Sequence, residues 1–130
     1  MRKLFLAAVM LFSTLGFSQA LTQEGNYTTT VYNDAITQKA SFNFKVFTSS
    51  MGDIVVDIEG QSPAFKKTVN YGNITTVTWV NSGGVWSESQ TFVFTKDVKT
   101  GDIYVHWTRV VQNENSEPWN VFCNGVVFKQ

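Results

Sequence analysis

The residues able to carry chemistry are few. His106 is the only histidine, Cys123 the only cysteine, and Arg109 the only arginine besides Arg2. A histidine acts as a general base or metal ligand only beside partners: a nucleophile and an orienting acid, or further nitrogen, sulfur or carboxylate ligands. The sequence places none at a recognisable spacing, so no residue is read as catalytic. A hydrolase would require the fold to bring His106 to a nucleophile and an acid. Asp53, Asp57 and Glu59 are closely spaced carboxylates, and on a strand Asp57 and Glu59 share a face. A hard cation or an acid–base pair is the chemistry open to them. With so few oxygen ligands, the reading is a charged strand that stays soluble, with neither metal nor cofactor expected. Phosphate-binding loop, nucleophile elbow, paired metal histidines and calcium loop are all missing from the sequence.

Aromatic side chains carry more weight. Tyr27, Tyr32, Tyr71, Trp79, Trp86, Tyr104 and Trp119 are many for a chain of this length. A small β-domain without disulfides needs large rings for its core, and exposed rings also stack on sugar faces and apolar ligands. Trp86 is the exception to a packing role: it follows the turn Ser82-Gly83-Gly84 and precedes the polar run Ser87-Glu88-Ser89-Gln90. Trp86, Tyr104 and His106 are therefore the candidate ligand contacts.

The elements that must position them are strands. Threonine, valine, phenylalanine, tyrosine and tryptophan occur in short runs between glycine, asparagine, serine and aspartate clusters, with almost no helical periodicity. The runs predict strands over 26–32, 41–48, 54–59, 65–71, 74–80, 85–95, 103–111 and 119–123, with a short last one over 126–129. Asn124-Gly125 reads as a type I′ turn pairing "WNVFC" with "VVFKQ". Short connectors imply antiparallel neighbours.

Alternation assigns the faces. Ile54, Val56 and Ile58, and likewise Ile103, Val105 and Trp107, point to the interior, leaving Tyr104, His106 and Thr108 on the polar face. Arg109 shares the inward parity of Trp107, so either the strand ends or bulges there, or Arg109 reaches the rim and pairs with an acid such as Glu114 or Glu117. The stretch "HWTRVVQNENSEPW" thus reads as a core strand, a polar loop and a second core strand. Cys123, in an apolar run, reads as a buried thiol without an intramolecular disulfide.

"NYTTTVYN" from Asn26 and "NITTVTWV" from Asn73 each lead to a Phe-Thr pair, Phe47-Thr48 and Phe94-Thr95, followed by "GDIVVDIE" and "GDIYVHWT". A matched pair of four-stranded repeats is one arrangement this suggests. The expected fold class is all-β: a small antiparallel β-barrel or β-sandwich of about eight strands. Eight strands with tryptophans at 79, 107 and 119 loosely resemble avidin-type biotin-binding barrels over the C-terminal third. The N-terminal half carries no matching residues, so the likeness is architectural and assigns no family.

The N-terminus bounds where the protein works. Arg2 and Lys3, an apolar stretch from Leu4 to Leu15, and Ser18-Gln19-Ala20 are the parts of a secretory signal peptide, with cleavage expected after Ala20. The apolar run, broken by Ser13, Thr14 and Gly16, falls short of the roughly 20 residues that span a bilayer. Residues 21–130 then form a single antiparallel β-domain with no integral membrane segment, periplasmic or extracellular. Removing Arg2 and Lys3 turns ten basic residues into eight against ten acidic ones. Nucleic acid, which needs a clustered basic surface, is not an expected partner. The expected function is non-catalytic binding of a small molecule or glycan. The alternative is a structural or interaction component of the cell envelope, pairing with itself or with an envelope protein.

Overall fold

The computed structural model describes residues 20–61 and 66–130. The expected signal peptide, Ala20 aside, lies outside the described residues. Eight strands follow in order: β1 Gly25–Asn33, β2 Gln38–Thr48, β3 Ile54–Ile58, β4 Lys66–Tyr71, β5 Ile74–Gly83, β6 Trp86–Lys96, β7 Ile103–Asn113 and β8 Trp119–Lys129. One turn of 3-10 helix, Asp34–Ile36, links β1 to β2, with the Asn33 side chain accepting from the Ala35 N–H.

All eight strands belong to one antiparallel sheet, in the order β3-β2-β1-β8-β7-β6-β5-β4. The sheet curls into a nearly closed barrel. Of the two expected architectures this is the barrel, in one sheet rather than two four-stranded units. The first and last strands are hydrogen-bonded neighbours, from Tyr27 opposite Lys129 to Tyr32 opposite Asn124. The gap falls between β3 and β4, which side chains bridge: Val56 N–H donates to Thr68 Oγ1 at 3.4 Å, and Asn70 Nδ2 donates to the Ile54 carbonyl at 3.1 Å.

Alternation fills the lumen. Phe42 of β2 meets Phe92 of β6 edge-on, ring centres 4.9 Å apart, and the Trp107 ring of β7 at 5.2 Å. Phe44 reaches Phe94 at 5.2 Å. These contacts join strands on opposite sides of the barrel, so rings occupy the space a ligand would need, as in other narrow eight-stranded barrels. Two buried threonines satisfy their hydroxyls, Thr29 on the Val126 carbonyl at 2.8 Å and Thr75 on Asn70 Oδ1 at 2.7 Å.

Three expectations are corrected here. The Asn124-Gly125 hairpin does not form, because β8 runs unbroken from Trp119 to Lys129. Gly125 lies between Val31 and Val105 in register, and a Cβ on it would come within 2.4 Å of the Thr30 carbonyl oxygen. The glycine therefore serves close approach of two backbones, not a reversal. The repeat keeps its faces only in part: Val56 and Ile58 of β3 align with Val105 and Trp107 of β7 and all four are buried, but Thr29 and Val31 are buried in β1, whereas β5 buries Thr75 and Val77, which align with Thr28 and Thr30. Finally, Arg109 pairs not with Glu114 or Glu117 but with Glu88 on neighbouring β6, Nε to Oε2 at 2.6 Å. Its guanidinium lies 5.3 Å from the centre of the Trp119 ring.

Candidate functional site

Because the lumen is filled, surface concavities are where a ligand could sit. One of about 760 Å³ lies on the outer face of β6, β7, β8 and β1. Each strand contributes its outward parity: Val93 and Thr95, then Tyr104 and His106, then Asn124, Val126 and Phe128, then Thr28, Thr30 and Tyr32. The floor is apolar and rich in hydroxyls. The walls are rings, with Tyr104 42%, Tyr32 49% and Phe128 63% exposed. No lysine, arginine, aspartate or glutamate lines it. The volume is within the range of small-molecule pockets.

His106 is held on this face. Its Nδ1 is 2.7 Å from Asn124 Oδ1, and its ring stacks on Phe122 with centres 5.9 Å apart. An amide oxygen only accepts, so Nδ1 carries the proton, and in the neutral ring Nε2 is left as an acceptor. The orienting partner is a neutral amide, unlike the carboxylate that stabilises an imidazolium in hydrolytic triads.

Of the three residues singled out by sequence, Tyr104 and His106 meet in this groove. Trp86 does not: it stands at the tip of the β5–β6 hairpin, its indole within ordinary contact distance of a Cβ built on Gly83. Asp53 and Asp57 line a separate groove of about 750 Å³ along the β3–β4 seam, together with Lys67 and Val69. Among the described residues no group of three His, Cys, Asp or Glu side chains is placed to hold a metal ion.

Sequence reasoning missed Tyr32, Asn124 and Phe128. Reading Asn124-Gly125 as a turn cut β8 in two and hid the shared outward parity of Phe122, Asn124, Val126 and Phe128. No alternation of apolar and polar residues marks the stretch, since Phe122, Val126 and Phe128 on the outward parity are as apolar as Val121, Cys123 and Val127 on the inward one. No protein-family model matches the chain, and neither a curated protein nor a solved structure matches it.

Proposed function

We propose that this is an exported, non-catalytic binding module whose outer groove takes a neutral glycan. The observation that carries the reading is the lining: tyrosine and phenylalanine rings beside threonine hydroxyls, an asparagine amide and a histidine acceptor, with no formal charge. A sugar ring offers an apolar C–H face to stack on a ring and hydroxyls around its edge to hydrogen-bond. None of these side chains carries a formal charge, and the Lys39 ammonium, 5.5 Å from the centre of the Tyr32 ring, stands beside the groove rather than in its lining.

The test is calorimetric titration of the folded protein with neutral oligosaccharides, cellohexaose and chitohexaose among them. The double variant Tyr32→Ala, Tyr104→Ala should keep its fold and lose affinity about ten-fold or more. Trp86→Ala should bind as the parent does. Unchanged affinity in the double variant would remove the groove as the site.

A second reading rests on Phe122 and Phe128, both at least half exposed on the same face of β8. Phenylalanines exposed together on one strand face favour a protein surface, including a second copy of this chain. Native mass spectrometry separates the readings. A dimer that Phe122→Lys with Phe128→Lys converts to monomer would favour self-association.

A further inference from the structure

The outer surface of the barrel divides by charge. On β2, β3 and β4 the outward positions include Lys39, Lys45, Asp57 and Lys67. On the five strands that lie between β2 and β4 in the sheet, no outward position holds a lysine, arginine, aspartate or glutamate. The charges those strands do carry are Glu88, Lys96, Arg109 and Lys129. All stand on the inward parity, in line with Phe92, Phe94, Trp107 and Val127. Strand propensity accounts for the outward threonines but not for this exclusion, since β2, β3 and β4 share the sheet and carry charge outside. Soluble surfaces are about 25–35% charged, and a face without charge is one that a neutral occupant covers without stranding an ion.

Two concavities lie in line on this face. The groove reaches Val93 of β6 and His106 of β7, which pair in register, and the next outward pair along the strands is Thr91 with Thr108. Beyond it a second concavity of about 500 Å³ opens over Ser87 and Ser89 of β6 and Val110 and Gln112 of β7. Its one charged lining residue, Glu88, is tied to Arg109 at 2.6 Å. From Tyr104 to Gln112 the line runs roughly 27 Å at the rise of an antiparallel strand, longer than a disaccharide. Serine is depleted where proteins meet proteins, whereas serine and threonine hydroxyls give and take the hydrogen bonds of a sugar's edge. We propose, resting on the glycan reading of the groove, that the ligand is a neutral polysaccharide chain lying lengthwise on β6 and β7. Its first sugars occupy the groove, and the next ones cross the Thr91–Thr108 pair into the second concavity, which is a further subsite.

The experiment titrates the ¹⁵N-labelled protein with neutral disaccharides and hexasaccharides of the cello-, chito-, xylo- and malto- series and follows the amide signals by NMR. In the series that binds, both lengths should shift Tyr104 and His106, and only the hexasaccharide should also shift Ser87, Val110 and Gln112. Val110→Glu sets a charge on the exposed second subsite and should weaken the hexasaccharide about ten-fold while leaving the disaccharide unchanged. Val110→Thr should bind both as the parent does, and Ser87→Glu replaces Val110→Glu should that variant fail to fold. Groove signals that respond alike to both lengths, with Ser87, Val110 and Gln112 silent, overturn the proposal and leave the groove reading standing. Silence at every signal in all four series removes the groove reading and the proposal with it. A sugar-free dimer in native mass spectrometry that Val110→Glu splits overturns the proposal in favour of a second copy on this face.

Discussion

Gly125 concentrates at one residue the constraint that shapes β8. Its backbone is extended, so a side chain is not forbidden by its φ; what forbids it is the Thr30 carbonyl oxygen, 2.4 Å from where the Cβ would stand. Backbone cannot yield as a flexible side chain can. Gly125→Ala should therefore cost about 3 kcal/mol or more in urea unfolding, at the upper end of overpacking effects. A loss below about 1 kcal/mol would mean that β8 and β1 separate easily. Nothing local distinguishes this glycine from a turn glycine, because its reason is the Thr30 carbonyl, 95 positions away in sequence. Cys123 was legible, since an apolar run surrounds it. It is fully buried, and burial pushes its thiol pKa up. The unfolded chain then gives up this proton first. The stability the thiol contributes is complete below about pH 8.5 and declines as pH rises through that value. Buried Tyr27, raised for the same reason, extends the decline above about pH 10. Native protein should resist Ellman's reagent until it unfolds, and Cys123→Ala should flatten the first part of the alkaline limb. Prompt stoichiometric labelling of folded protein would contradict the burial argument.

Among the elements, β4 departs furthest from simple alternation. Its inward positions include Thr68 and Asn70, opposite Val77 and Thr75, while Val69 and Tyr71 are exposed. A strand with polar residues inside reads from sequence as easily the other way round, and its facing is fixed only by what those side chains do. Asn70 donates across the seam to the Ile54 carbonyl and accepts from the Thr75 hydroxyl, which is fully buried. Asn70→Ala removes a seam bond and strands that hydroxyl, a combined cost of about 2 kcal/mol. Hydrogen exchange should accelerate selectively in β3 and β4, with β7 and β8 protected as before. Uniform acceleration would mean that the seam is not a separately opening unit. The strands themselves were legible to within a few residues, because valine, threonine and aromatic runs between turn formers mark them. The Arg109–Glu88 pair was not, since it joins residues 21 apart that only the β6–β7 register brings together. The groove was half legible for a like reason. Tyr104 and His106 share one strand, whereas Tyr32 and Phe128 join them only through the β1–β8 pairing.

For the molecule as a whole, that β1–β8 pairing is the contact no local pattern announces, and it sets where the chain can be cut. Every other hydrogen-bonded neighbour in the sheet is also a neighbour in sequence; β1 and β8 are joined end to end, and β3 and β4, though consecutive, are not paired by backbone. Residue 130 and the start of β1 lie close, since the Gln130 N–H donates to the Asn26 carbonyl at 2.8 Å. A circular permutant that links Gln130 to Leu21 through a short Gly-Ser segment, and begins at Lys66, would carry the strands in the order β4-β5-β6-β7-β8-β1-β2-β3. Every pairing then becomes a hairpin or short connection, and the one strongly non-local ladder disappears. Lower contact order speeds folding, because less loop-closure entropy is paid before native contacts form. The permutant should give the parent's near-ultraviolet spectrum, unfold within about 1 kcal/mol of it, and refold faster in stopped-flow fluorescence. A permutant opened instead inside the β6–β7 connection makes the β6–β7 ladder the non-local one and should show no such gain. Equal refolding rates for both permutants would mean that the β6–β7 ladder forms after the rate-limiting step, with the barrel nucleated among β8, β1, β2 and β3, whose contacts are local in both permutants.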